Sequence, residues 1–218
     1  MYFKDRTDAG YRLAERLKVY SGQKCTLVAL SDGAVVVASP VAMALQCPIT
    51  MLLAEQIHAP GEPDAIGSIS QSGIYSQSSA YSRGQHDEFE MEYHHAFEQQ
   101  KLDKLHKMHR LKKKNELIRK DLLRGHSVIL IADGLGSSAT IDAALLFLKS
   151  IKIKRLIIAT PFASLNVVDR MHILADDIVC LNVLDNFMGI DHYYEQNNLP
   201  THQDVIRIIQ EMVNSWGV

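Results

Sequence analysis

Five short apolar runs set the strongest limit on what this chain can become: CTLVAL at 25–30, ITMLLA at 49–54, SVILIA at 127–132, RLIIAT at 155–160 and DIVCL at 177–181. Runs that are apolar throughout, rather than alternating, suit strands covered on both faces, and helical patterns separate most of them, so a mostly parallel sheet is expected. Val35 to Leu45 follows one strand directly. Ser138 to Lys149, with Ile141, Ala144, Leu145 and Leu148 on one side, follows another, which is strand–helix–strand syntax. Nearer the start, Ala9, Leu13, Leu17 and Tyr20 recur at helical spacing, with Asp8 as the expected cap. The expected class is α/β, a central mostly parallel sheet flanked by helices.

The chain has 218 residues, 47% of them hydrophobic and 22% charged, enough to bury one substantial core, so residues 1–218 read as a single domain. A net charge of -2 provides no global field to attract nucleic acid or an anionic membrane, and small ligands or proteins are the expected partners. The apolar stretch from Gly33 to Ala54 is interrupted by Pro40, Gln46 and Pro48 and flanked by Asp32 and Glu55. It reads as buried helix plus buried strand rather than a membrane span. Three cysteines without paired spacing suggest neither a disulfide framework nor a zinc site, and the charged N-terminal residues lack the apolar stretch of a secretory signal. A cytoplasmic location is expected.

Two segments depart from this syntax. Residues 61–84 are rich in Gly, Ser, Gln and Pro, with Ile66, Ile69 and Ile74 spaced through them, and read as an irregular hairpin or flap. From His86 to Leu123 no Pro or Gly occurs, and Phe89, Tyr93, Phe97, Leu102, Leu105, Met108 and Leu111 keep helical spacing, predicting one long helix over 86–123. Its second half is basic, including Arg110, Lys112, Lys113 and Lys114. A solvated face is favoured over a nucleic-acid patch because aromatic stacking residues are missing there, and a homodimer contact is the further option. His94 with His95, and His106 with His109, lack partners at metal-ligand spacing and read as solvated. His192, Tyr193 and Tyr194 read as packing residues, with stacking on a base as the alternative.

The segment VILIADGLGSSATID, Val128 to Asp142, carries the chemistry. An apolar strand ends at Asp133, turns through Gly134 and Gly136 and enters a helix through Ser137, Ser138, Ala139 and Thr140. First-turn amides without intrahelical partners, the helix dipole and three hydroxyls make a seat for a phosphate monoester. Asp133 is placed to accept hydrogen bonds from sugar hydroxyls. A capped strand-to-helix turn with no ligand explains the spacing equally well. No Gly-x-Ser-x-Gly elbow, Cys/His dyad spacing or Walker lysine is present, and the Gly-x-Gly lacks the third glycine of a dinucleotide fold.

VILIADGLGSSAT resembles the phosphoribosyl pyrophosphate signature of type I phosphoribosyltransferases. FKDRTDAGYRLAERL, LVALSDGAVVVASPVA, PGEPDAIGSI, RLIIATPFAS and LADDIVCLNVLDNFMGIDHYY are similar to other segments of that family. The resemblance implies a protein that takes a phosphorylated ribose or nucleotide, with Asp133 on the ribose and residues 136–140 on its phosphate. An active member would move the phosphoribosyl group to a nitrogen base with Mg2+ shielding the diphosphate. Four positions depart from the family pattern. Ser31, Asp32 and Gly33 stand where an Arg-Gly-Gly type loop receives diphosphate, Glu55 and Gln56 replace a basic pair, Ala132 replaces the first acid of the signature, and Ser138 replaces a loop glycine. If Asp32 and Glu55 both faced diphosphate, the cost would be on the order of 2 to 5 kcal/mol. Altered or lost transfer activity is therefore expected, with an active transferase, or a protein-interaction module built on the long helix, as alternatives.

Overall fold

The computed structural model describes residues 3–62, 65–78, 80–112 and 118–216, and of 110–112 the backbone alone. Lys113, Lys114 and the side chains of Arg110 and Lys112, part of the expected basic face, lie outside what is described. Along the described chain the strands are β1 (Cys25–Ala29), β2 (Ile49–Met51), β3 (Ala54–His58), β4 (Ala65–Ser70), β5 (Tyr75–Gln77), β6 (Ser127–Ile131), β7 (Arg155–Ser164) and β8 (Asp177–Leu184). The helices are α1 (Arg6–Leu17), α2 (Asp32–Leu45), α3 (Arg83–Lys112), α4 (Ala139–Leu148), α5 (Leu165–Leu174) and α6 (His202–Ser215). Contacts gather these into two compact units. The first takes in Met1–Met51, Leu117–Gly136 and Ile151–Val218, and the second Leu52–Glu116 and Ser137–Ser150.

The first unit is built on a five-stranded sheet in the order β2-β1-β6-β7-β8, with every pairing parallel. β1 and β6 are buried along their whole length, as their unbroken apolar runs require. Helix α1 begins at Asp5 rather than Asp8: the Asp5 carboxylate accepts the Asp8 amide at 2.8 Å, while Asp8 accepts the Lys4 amide and pairs with Arg12. Asp5 answers a first-turn donor and Asp8 reaches back to the amide just before the cap, and the sequence alone could not tell which was the cap. Ala9, Leu13 and Leu17 form the buried face of α1, which packs on α2. α2 starts earlier than its apolar residues suggest, because Ser31 accepts the Ala34 amide at 2.9 Å and so nucleates the turn at Asp32. Phe3, Phe162, Tyr193 and Tyr194 pack as an aromatic core, with Phe162 and Tyr193 centroids 4.7 Å apart.

The second unit contains a three-stranded antiparallel sheet, β3-β4-β5. The run 49–54, read as a single strand, is divided: β2 ends at Met51, and β3 begins at Ala54 in the other sheet. The hairpin expected in 61–84 is present as β4 and β5. Helix α4 packs on β3, β4 and β5, and α3 packs on β3 and β4. The core here joins Ile57, Ile66 and Ile69 to Phe97 and Met108 of α3. α3 carries a non-helical break at Tyr93 and is described as far as Lys112, and from Ile118 to the expected end at Leu123 the chain is not α-helical. The described residues after it, from Ile118, belong to the first unit. There the Arg119 amide is taken by Thr50 Oγ1 at 3.1 Å, and Leu122 and Leu123 are buried after a single 3-10 turn, so tertiary anchoring overrides local helical pattern. Among the described residues no helix is long and apolar enough to cross a membrane.

Candidate functional site

The signature segment passes from the first unit, which holds Asp133 to Gly136, into the second, which holds Ser137 to Thr140. Each half is described within its own unit.

In the first unit Asp133 follows the end of β6 and is 6% exposed. One carboxylate oxygen accepts Arg6 Nε at 2.8 Å, and the other accepts the Ser31 hydroxyl at 2.8 Å. Its carbonyl accepts the Tyr194 hydroxyl at 2.6 Å. Arg6 is 4% exposed and spends its remaining donors on Asp191 at 2.9 Å and Asn197 at 3.2 Å, with its guanidinium 4.5 Å from the Tyr194 ring centroid. Burial by itself would lower the Arg6 pKa, but the hydrogen bonds to Asp133 and Asp191 and the charge of Asp133 outweigh it and raise the pKa above its usual value. Burial, reinforced by the Asp133 charge, drives the Tyr194 phenol far above its ordinary range. Gly33 is what allows the pair to form: a Cβ there would lie 2.1 Å from Asp133 Oδ2 and 2.7 Å from Arg6 Nε. Gly134 is equally constrained, since a Cβ would sit 2.3 Å from the Phe162 ring.

The loop read as the diphosphate receiver, Ser31, Asp32 and Gly33, forms the N-terminus of α2 and answers its own donors. Ser31 caps the helix, Asp32 places a carboxylate in the first turn, and Asp32 Oδ1 lies 2.8 Å from His202 Nδ1 at the start of α6. The anion that a helix N-terminus attracts is therefore supplied by the chain itself. His202 Nε2 is buried and has no hydrogen-bond partner among the described residues.

The second unit holds the helix-start residues. Ser138 occupies the N-cap of α4 but makes no side-chain cap bond; its hydroxyl donates instead to Asp142 at 2.9 Å, one turn into the helix. Ala139 and Thr140 open the helix. Ser137 and Thr140 face the amide of Gln56, whose Nε2 lies 3.2 and 3.5 Å from their oxygens. Successive strand residues point to opposite faces of a sheet, so Glu55 faces away from this turn. It faces α3, where Lys107 holds it at 2.7 Å and Lys104 at 3.7 Å. The loss of the expected basic pair is thus answered locally by two lysines of α3, and Glu55 is not oriented toward the Ser137–Thr140 turn.

Reading the sequence singled out neither Arg6 nor His202. Arg6 is a lone cation on the apolar face of α1, beside Ala9, and that position is the one signal that could have marked it. Nothing in the local sequence marks His202. Tyr193 and Tyr194 are packed in the core, as expected, whereas His192 is exposed. His94, His95, His106 and His109 are all exposed, and among the described residues no group of three or more His, Cys, Asp or Glu is arranged to hold a metal.

A family model, the phosphoribosyl transferase domain, matches residues 7–198, a span that includes the buried acid, the glycine turn and the hydroxyl-rich helix start. The chain belongs to the phosphoribosyl transferase domain family. Two strains of Mycobacterium tuberculosis, CDC 1551 / Oshkosh and ATCC 25618 / H37Rv, carry relatives named provisionally as the phosphoribosyl transferases MT0597 and Rv0571c. Each is 29% identical over 210 residues, covering 95% of this chain and 46% of the relative, so the chain spans about half the length of these relatives. The crystal structure of TT1426 from Thermus thermophilus superposes with a TM-score of 0.72 at 26% identity, covering 97% of this chain and 99% of that one. The five parallel strands flanked by helices are the sheet of this family's fold.

Proposed function

We propose that this member of the phosphoribosyl transferase family binds a phosphorylated ribose or nucleotide through its phosphate, and that standard transfer from phosphoribosyl pyrophosphate is altered or lost. The observation that carries the reading is the contrast between two helix starts. That of α2, where the family receives diphosphate, is capped by Ser31 and filled by the Asp32 carboxylate. That of α4 has no side-chain cap and is lined by the hydroxyls of Ser137 and Thr140, and its own first-turn acid, Asp142, accepts the Ser138 hydroxyl, so the contrast rests on the cap. A free helix N-terminus with hydroxyl donors favours a phosphate dianion. A helix start that already carries a carboxylate disfavours one, by ~1 kcal/mol in water to ~4 kcal/mol at a surface-like dielectric for each charge pair at 4 Å.

Asp133, the acid expected to hold ribose hydroxyls, has both oxygens engaged by Arg6 and Ser31, so sugar hydroxyls would have to share lone pairs already used. A magnesium ion needs carboxylate oxygens free to coordinate it. Asp133 is held by Arg6, Asp32 by His202 and Glu55 by two lysines, so these residues do not fit a magnesium site of the protein's own. Calorimetric titration with ribose 5-phosphate tests the reading. Wild type should bind, and Ser137→Ala with Thr140→Val should weaken binding at least tenfold; equal binding by the double variant would exclude the α4 turn as the phosphate seat.

A further inference from the structure

We infer that Gln56 and Ser68 complete the anion seat at the start of α4: Gln56 as a positioning residue that turns the Ser137 and Thr140 hydroxyl protons toward the ligand, and Ser68 as a buried donor to it. The inference rests on the reading of this turn as a phosphate site. It identifies the small antiparallel sheet of the second unit as the floor of that site, for a phosphate monoester.

The geometry begins with strand register. Gln56, Ser68 and Ser76 are direct partners across β3, β4 and β5, so their side chains share one face of the sheet. Glu55, Ile69 and Tyr75 form the neighbouring row, and the pleat turns them to the opposite face. Because the Gln56 amide reaches Ser137 and Thr140 at the start of α4, the face it shares with Ser68 is the one that α4 covers.

Hydrogen-bond inventory then fixes the direction of the protons. An amide nitrogen carries two protons and no lone pair to give, so Gln56 Nε2 is the donor to both hydroxyl oxygens. Each hydroxyl, having accepted, has its single proton left to donate. An anion over the first turn of α4, beside amides that no side chain caps, is the acceptor that completes this pattern. With a carboxamide oxygen or a carboxylate in the same place, both protons would point the other way, and the seat would present lone pairs to the anion.

Ser68 supplies the independent observation. It is 0% exposed and its Oγ has no hydrogen-bond partner among the described residues. A buried hydroxyl without a partner costs stability, and Ala in its place would be more stable if the hydroxyl had no task. Its register partner on β3 is Gln56, whose amide reaches Ser137 and Thr140, so the spare donor shares the α4-facing side of the sheet with that amide.

Calorimetry with ribose 5-phosphate and with inorganic phosphate, on wild type and five variants alongside thermal unfolding, tests the inference. Gln56→Met keeps the volume without the amide and should weaken binding about tenfold. Gln56→Glu offers acceptors alone and should weaken it further than Gln56→Met, a difference that a purely packing role would not produce. In the Ser137→Ala/Thr140→Val background, Gln56→Met should cause no additional loss, because its effect passes through those hydroxyls. Ser68→Ala should raise the melting temperature and lower the affinity. Wild-type affinity in Gln56→Met and Gln56→Glu, or an undiminished effect of Gln56→Met in the double background, would overturn the role of Gln56. Unchanged affinity in Ser68→Ala would overturn the role of Ser68. Failure of wild type to bind either ligand would instead overturn the phosphate reading of the turn itself.

Discussion

Replacing Arg6 with Met should destabilise this protein more than any single change to its surface charges. Arg6 and Asp133 are 5% and 8% exposed in their side chains and 2.8 Å apart, and each lies where solvent cannot take over the other's charge. Removing one member of a buried pair leaves the other charged and unpaired, which costs roughly 3 to 5 kcal/mol. The contact with Asp191 adds little, because that carboxylate is 74% exposed. For a chain of this length each kcal/mol moves the melting temperature by about 2 to 4 °C, so a loss of roughly 6 to 20 °C is expected. Circular dichroism melting, with urea unfolding to check that the m-value holds, reads it directly. The Arg6→Met/Asp133→Asn double variant should recover part of the loss, with a coupling of about 1.5 kcal/mol or more. Arg6→Lys should not rescue it, since an ammonium cannot reach Asp133, Asp191 and Asn197 in one planar fork. A melting temperature within about 2 °C of wild type, or strict additivity of the single variants, would refute the claim that this pair holds the end of β6 to α1.

Other outcomes follow from the same contacts. Gly33→Ala should destabilise by about 1 to 3 kcal/mol in urea titration, because its Cβ would meet Asp133 Oδ2 at 2.1 Å; wild-type stability would show that the loop yields freely. Glu55→Arg should leave affinity for phosphoribosyl pyrophosphate unchanged, since Glu55 faces Lys104 and Lys107 of α3; improved affinity would show that Glu55 lies at the diphosphate after all. His126 gives a pH dependence. Its pKa is lowered by burial and then by the Lys24 charge, so the native state resists protonation: stability is full above about pH 6.5 and falls as pH drops through the lowered value. Its Nδ1–H donates to Thr26, whose hydroxyl donates to the Leu122 carbonyl, a contact that the neutral and the protonated ring can both make, so burial and Lys24 alone set the pH dependence. His126→Gln should flatten the urea midpoint between pH 7 and 5, and an unaltered slope would point to another group.

Much of the fold was legible because the central strands are buried on both faces and so carry unbroken apolar runs, as β1 and β6 show. The division between β2 and β3 was not legible: ITMLLA is uniformly apolar, and only the cross-strand partners of Ala54 to His58 assign the second strand to another sheet. Helix α3 was overextended because its pattern has no breaker, while Thr50 and the core around Leu122 and Leu123 hold the later residues in another conformation. In the site, Asp133 and the Ser137–Thr140 turn stand out by their order along the chain. Arg6 and His202 do not, since they act on residues 127 and 170 positions away, and Gln56 was marked only as half of a missing basic pair, not as the partner of the turn. Asp32 and Glu55, alike in sequence as acids replacing bases, differ in space: one fills a helix start and the other pairs with α3.

The central claim is that the phosphate seat persists while the diphosphate seat is filled by the chain's own carboxylate. Parallel titrations of the full chain with ribose 5-phosphate, and with phosphoribosyl pyrophosphate plus Mg2+, test it most directly. Ribose 5-phosphate should bind as tightly as the diphosphate compound or more so, with no gain from Mg2+. Magnesium-dependent binding of phosphoribosyl pyrophosphate at least tenfold tighter than the monophosphate would contradict it.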